Sequence, residues 1–284
     1  MKIVEVNRKD LKNNLDIIRK IANSSGEDDN GEKVKIIAVV KGNALGLGLV
    51  QFAKFLIKNG INCFAVSTVE EAVALRKSNI KEEIIMLSPT SIKKELKILI
   101  EHDITLTISS NEDYKSIEEL NSSKEVKAHI KIDTGMGRYG FLHTQKEDIL
   151  EIFKKCEKTK ITGMYTHFSN SKNERWTKKQ FEKFLEVIEY IKKEKINPGI
   201  LHVTASTAFL KFRLMHLNAI RVGSVFQGRT LVPIEGLVKI GKFKTNITEI
   251  KTLPEGHNIG YNNTYKTKRK TKIAIIPVRL HGRN

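Results

Sequence analysis

The sequence predicts an α/β chain: a (β/α)8 TIM barrel over residues 1–230, followed by an incomplete, β-rich C-terminal domain over 231–284. Three observations support this. From residue 35 onward, short apolar β-branched runs alternate with amphipathic stretches, the pattern of repeated βα units. The alternation supplies about eight strands in roughly 200 residues, which is the arithmetic of a closed barrel; an open doubly wound sheet usually has fewer strands and a single glycine-rich turn. After Gly228 the helical period disappears, and strand-like alternation with turn residues takes over.

KIIAVV (35–40), β-branched and bounded by Gly42, reads as a buried parallel strand. LVQFAKFLIKNG (49–60) has helical spacing and stops at a glycine. The unit repeats as CFAVS (63–67) with VEEAVALRKSN (69–79), IIMLS (84–88) with SIKKELKILIEH (91–102), and ITLTI (104–108) with NEDYKSIEELN (111–121). KAHIKI (127–132) leads through a glycine loop to KEDILEIFKKCEK (146–158), and ITGMYTHF (161–168) leads to the long helix TKKQFEKFLEVIEYIKKEK (177–195). GILHVT (199–204) and NAIRVG (218–223) provide the last strands. In the β-rich tract, KTKRKTK (266–272) reads as the exposed turn and rim of a hairpin.

Composition narrows the function classes. Lys+Arg 50 against Asp+Glu 32 gives a net charge of +18, which favours anionic partners. The lysines are spread over nearly every amphipathic segment, as solvated helix faces are, so nucleic acid is not expected as a partner. No run approaches the roughly 18 apolar residues of a membrane span, and the opening MKIVEVNRKDLKNN has no signal-peptide core, so a cytoplasmic home is expected. Cys63 and Cys156 lie far apart without metal-type spacing; Cys63, in an apolar run, reads as a buried thiol.

Barrels carry their chemistry at the C-terminal ends of their strands. Lys41 closes the first strand, where an amine facing a partly desolvated mouth can form a Schiff base. The fifth strand carries Lys131 and runs into Asp133-Thr134-Gly135-Met136-Gly137-Arg138. The sixth ends in His167, the seventh reaches Ser206, and the eighth carries Arg221 just before Gly223 and Ser224. Singly, a strand-end lysine is a rim charge and a lone histidine a satisfied core residue; their convergence on one rim is what points to a site. The GxGxxG of Gly135, Gly137 and Gly140 is followed by Phe-Leu-His-Thr-Gln rather than by a helix, which argues against a dinucleotide site.

AVVKGNALGLG (38–48) and HIKIDTGMGRYGF (129–141) resemble the cofactor-lysine motif and the second motif of alanine racemases. YTHFSNS (165–171), NAIRVGS (218–224) and IGYNNTYKTK (259–268) are similar to that family's histidine, arginine-glycine and C-terminal-domain segments, in the same order. The resemblance implies a pyridoxal 5'-phosphate-dependent isomerase that interconverts L- and D-alanine for peptidoglycan precursors. Lys41 would hold the cofactor and work one face of the substrate. Tyr261, reaching in from the second subunit of a homodimer, would work the other. Arg221 would bond the pyridine nitrogen, with His167 orienting it. Ser206 and the N–H groups of Gly223 and Ser224 would seat the phosphate. Arg138 would pair with the carboxylate of the small-molecule amino-acid substrate beside Met136, and Lys131, carbamylated in many relatives, would hold Arg138.

The sequence also departs from that pattern. Leu45 stands where the family has a phosphate-contacting tyrosine, and Ala205 replaces an asparagine. After IAIIPV the family continues GY-x-DG, whereas this chain reads Arg279-Leu280-His281-Gly282-Arg283-Asn284. The expectation is a chain cut short within its second domain, with racemisation and dimerisation weakened. Two alternatives stay open: a barrel that binds the cofactor without turnover, and a serine or broad-specificity racemase.

Overall fold

The computed structural model describes residues 2–24, 33–120, 122–156 and 158–278; the divergent tail from Arg279 lies outside the described residues. Contacts divide the chain into two compact units, Lys9–Lys239 and Met1–Arg8 with Ile240–Asn284.

In the larger unit, helix α1 (Arg8–Asn23) precedes the strands β2 (Lys35–Val39), β3 (Cys63–Val66), β4 (Glu83–Met86), β5 (Leu106–Ile108), β6 (Val126–Asp133), β8 (Thr159–Tyr165), β9 (Ile200–His202) and β10 (Ala219–Val222). The short β7 (Phe141–Leu142) pairs parallel with the end of β6, outside the ring of the other eight. These eight strands run parallel in the order β4-β3-β2-β10-β9-β8-β6-β5. The ring closes between β4 and β5 through Met86 N–H to Thr105 O (2.8 Å) and Thr105 N–H to Ile84 O (2.9 Å). The intervening helices α2 (Leu49–Lys58), α3 (Val69–Lys77), α4 (Lys93–Glu101), α5 (Asn111–Glu118), α6 (Lys146–Lys155), α7 (Glu174–Lys193) and α8 (Ser206–Lys211) cover the strands. All eight strands expected from the sequence are present.

One detail departs from a plain βα count. Among the described residues no α-helix follows β10; Ser224–Gln227 is only a 3-10 turn. Helix α1 packs there instead, burying Leu11, Leu15 and Ile18 on one stripe. Its fully buried Asn14 donates to Phe226 O (3.0 Å) and Val238 O (2.7 Å) and accepts from Val238 N–H (3.0 Å), tying the chain that follows β10 to the first helix.

The barrel interior is lopsided. Toward β2, β3 and β4 it is apolar and small, with Ile37, Cys63, Ala65 and Ile85. Toward β5, β6, β8, β9 and β10 it is polar, with Thr107, His129, Lys131, Tyr165, His202 and Arg221 all buried. The register pairs Lys131 with Tyr165 and Tyr165 with His202, which sets these side chains on one inward face.

The smaller unit is all-β. β1 (Lys2–Val6) pairs antiparallel with β11 (Gly241–Thr245), β12 (Glu249–Leu253) with β15 (Thr271–Ile275), and β13 (Asn258–Ile259) with β14 (Tyr265–Lys266). The basic run is therefore a turn between two ladders rather than the end of one hairpin. At its start the buried Thr267 accepts from His257 N–H (2.8 Å) and donates to Pro254 O (2.6 Å).

Asn14→Ala removes the side chain that satisfies two carbonyls and one N–H. It is expected to lower the unfolding free energy by about 1–3 kcal/mol, measured by urea denaturation, whereas Lys20→Ala, on the exposed side of the same helix, should cost less than about 0.5 kcal/mol.

Candidate active site

At the C-terminal ends of the strands a cavity of about 560 Å3 brings together Lys41, Lys131, Arg138, His167, Ser206 and Arg221, with Leu45, Gly223 and Ser224 on the same wall. Met136 is half-buried on the neighbouring loop and does not line it. A larger, more open depression of about 640 Å3 lies at the opposite end, around the starts of β6 and β8; its charged groups, among them Lys124, Lys158 and Lys160, are exposed. Convergence of buried charge, rather than volume, marks the first cavity as the site.

Lys41 follows β2 directly, and the next four residues turn left-handed: Gly42, Asn43, Ala44 and Leu45 have φ of 64, 54, 54 and 56°. This conformation costs about 1–2 kcal/mol for each non-glycine residue, so it must be held from outside. Asn43 Oδ1 accepts from Leu49 N–H (2.8 Å), Asn43 N–H donates to Glu71 Oε1 (3.2 Å), and Gln227 Nε2 donates to Leu45 O (3.3 Å). The strained turn fixes the strand end that carries the amine.

Arg221 is 3 % exposed. Nη1 donates to His202 O (2.7 Å) and His202 Nδ1 (2.6 Å), and Nη2 to Thr166 O (2.6 Å) and Val203 O (3.2 Å). His167 Nδ1 lies farther, at 3.4 Å. All of these partners are neutral, and among the described contacts no carboxylate pairs with the guanidinium. Burial lowers Arg221 to about 10, so it remains a cation at neutral pH. Burial, then the neighbouring Arg221, lowers His167 to about 3, leaving it neutral. The Tyr165 ring is stacked on His202 at 4.8 Å and underlies both cations, with Arg221 at 5.1 Å and Lys131 at 5.2 Å from its centroid. Its hydroxyl bonds Thr107 Oγ1 (2.9 Å) and Leu87 O (3.1 Å).

The loop that presents Arg138 is organised by Asp133. Its Oδ1 accepts from Gly135 N–H and Met136 N–H (both 2.8 Å), and its Oδ2 from Gly137 N–H (2.8 Å) and Arg138 N–H (3.2 Å). Burial alone would raise this carboxyl, but the four bonds outweigh it and hold Asp133 below the usual carboxylate value. Gly140 closes the loop at φ 115°, where a Cβ would lie 2.8 Å from Asp133 N and 2.9 Å from Lys131 Cγ. Among the described contacts, no hydrogen bond joins Lys131 to Arg138. Lys131 donates to Ile132 O (3.2 Å), and burial, then Arg221, lowers it to about 7.

Ser206 Oγ accepts from Gly223 N–H (3.2 Å), which leaves its own proton free to donate into the cavity. Tyr261 belongs to the other unit: it stands 96 % exposed on a turn, between Gly260 (φ 78°) and Asn262 (φ 59°). Sequence reasoning missed His202, Tyr165, His129 and the organising role of Asp133. The first three read as ordinary core residues, and only the period-2 register with Lys131 and Arg221 could have placed them on the inward face.

The cavity thus carries four basic side chains and a hydroxyl donor, and the carboxylates beside it, Asp133 and Glu71, already accept backbone N–H groups. Such a donor set fits a ligand with a reactive carbonyl and an anionic tail, together with a second, carboxylate-bearing molecule.

Residues 6–230 match the family model for the alanine racemase N-terminal domain, and residues 240–279 match that for its C-terminal domain. Alanine racemase 1 of Caldanaerobacter subterraneus is 36% identical over 259 residues, covering 87% of this chain and 66% of the relative. Alanine racemase of Methanococcus maripaludis is 33% identical, covering 96% of this chain and 74% of the relative. The crystal structure of alanine racemase from Bacillus anthracis with bound L-Ala-P superposes with a TM-score of 0.84 at 30% identity, over 97% of this chain and 72% of that one. The chain spans about two thirds to three quarters of the length of these relatives. Matched across both domain models and nearly its whole length, the chain belongs to the alanine racemase family.

Proposed function

We propose that the chain is a pyridoxal 5'-phosphate-dependent alanine racemase. The observation that carries this reading is the placement of Lys41, Arg221 and Ser206 on one cavity that, among the described residues, no carboxylate lines. The cofactor, when bound, supplies an electron sink that lets the α-hydrogen of an amino acid leave as a proton.

Lys41 holds the aldehyde end of the cofactor and exchanges a proton with Cα on one face. Ser206, whose Oγ accepts from Gly223 N–H, and the N–H of Ser224 would hold the phosphate, at the place where barrels commonly seat one. Arg221 donates to the pyridine nitrogen. Being still charged with its value near 10, it keeps its proton, so the ring nitrogen gains a hydrogen bond without gaining a charge. Arg138 receives the substrate carboxylate, and Met136 stands beside it on the same loop. Lys131, near 7, has an appreciable neutral fraction at physiological pH, the form that takes up carbon dioxide. The resulting carbamate would replace a cation that repels Arg138 with an anion that attracts it. Racemisation needs a second base on the opposite face, and Tyr261 of a second copy fills that role, which makes the working unit a homodimer. D-alanine for peptidoglycan is the expected product.

The test is L-to-D alanine exchange by the purified chain supplied with the cofactor, run beside L-serine. Exchange of alanine supports the proposal; cofactor uptake without exchange supports binding without turnover, and equal rates on both substrates support the broad-specificity alternative. Lys41→Ala is expected to lower alanine exchange by at least about 100-fold.

Asp133→Asn replaces an acceptor of four N–H bonds with a side chain that is itself half donor. The loop carrying Arg138 should loosen, raising KM for alanine roughly 10-fold or more, as befits the loss of about 1.5–3 kcal/mol in hydrogen bonds to a charged group, with kcat changed far less. Because the folded Asp133 is held below its unfolded value, its contribution is present above the unfolded value and lost as pH falls through the folded one. Steady-state kinetics across acid pH checks both statements.

A further inference from the structure

Below Arg221 the barrel encloses two imidazoles, His202 and His129, both fully buried. His202 Nε2 lies 2.8 Å from His129 Nδ1, and His202 Nδ1 lies 2.6 Å from Arg221 Nη1. Donor counting fixes every proton in this chain. A guanidinium has donors only, so His202 Nδ1 must accept. The single proton of the neutral ring is then on Nε2, which donates to His129 Nδ1. By the same step the proton of His129 is on its own Nε2. That last N–H is buried and unpartnered, a cost that native interiors normally avoid. Burial keeps both rings neutral, lowering His129 to about 4 and holding His202 well below the usual imidazole value. The charge that acts most strongly on His129 is the Glu83 carboxylate, which is paired with Lys35 at 2.6 Å at the N-terminal ends of β4 and β2.

We infer that His129 is a positioning residue for Arg221: it accepts the Nε2 proton of His202 and so holds the His202 lone pair against the guanidinium. In each ring the lone pair then faces the Arg221 side of the chain of bonds and the N–H faces away from it. The relay stabilises the buried cation without neutralising it, which a carboxylate in the same place would do. The reverse orientation would set N–H against N–H at 2.6 Å and expel Arg221 from its seat. The inference deepens the role proposed above for Arg221 and rests on that proposal only for its catalytic consequence.

The test uses the full chain without cofactor, labelled with 15N at histidine and arginine, so its outcome is independent of whether the chain racemises alanine. Long-range proton–nitrogen correlation should show His202 and His129 each as the single Nε2–H tautomer from roughly pH 5 to 8, with an N–H···N coupling between His202 Nε2 and His129 Nδ1. Arg221 Nη–H groups should exchange slowly with water. His129→Asn, which keeps an acceptor where Nδ1 stood, should preserve that protection, and His129→Phe should speed the exchange by about 10-fold or more. If the phenylalanine variant does not fold, His129→Gln, whose acceptor is displaced, takes its place with the same expectation. A His202 proton on Nδ1, absence of the coupling, or unchanged Arg221 exchange in the variant lacking the acceptor would overturn the inference.

Discussion

A buried guanidinium whose described partners are all neutral is the constraint on which the rest of the site depends. Arg221 is held by three backbone carbonyls and a ring nitrogen, each contributing a dipole and none a charge. Transfer of an unpaired ion into a protein interior is costly, so the fold must surround it on every side with fixed acceptors. The lopsided interior supplies them. β8, β9 and β10 present their inward faces as Tyr165, His202 and Arg221, and the far wall of small apolar residues leaves the room for these larger groups.

The electrostatic consequence is a cavity whose positive charge is not cancelled from below. Lys41, Lys131 and Arg138 add to it, and Asp133, on the loop that carries Arg138, is occupied by four backbone N–H groups. An anionic ligand entering such a cavity is attracted by groups already in place. Pre-organisation of this kind lowers the cost of ordering that would otherwise be met on binding. Burial first, and then the same field, keeps His167 neutral and lowers Lys131.

Much of this architecture was legible in the sequence, and the reasons are physical. Buried parallel strands are continuous β-branched runs, so KIIAVV, CFAVS and IIMLS stood out. Helices with one apolar stripe and a glycine stop did likewise. The rim residues were legible because a charged or hydroxyl group closing an apolar run is unusual. The interior polar layer was not. His129 in HIKI and His202 in ILHVT sit inside strands where an apolar residue is the ordinary occupant, and one strand says nothing about what faces it across a barrel. Nor did periodicity show that α1 would occupy the place beside β10, since that depends on Asn14 bonding Phe226 and Val238, more than two hundred residues away. Residues 1–8 alternate as a strand should, but their partner in β11 could not be read from them alone.

The account stands or falls on Lys41 being the amine that meets the cofactor in this field. The chain holds many other lysines, most of them on solvated helix faces, so site selectivity is a demanding criterion. The decisive measurement is borohydride reduction of the full chain equilibrated with pyridoxal 5'-phosphate, followed by peptide mapping. The account predicts one modified peptide, carrying the label at Lys41. Label scattered over surface lysines, or concentrated at Lys131 with Lys41 untouched, would contradict it.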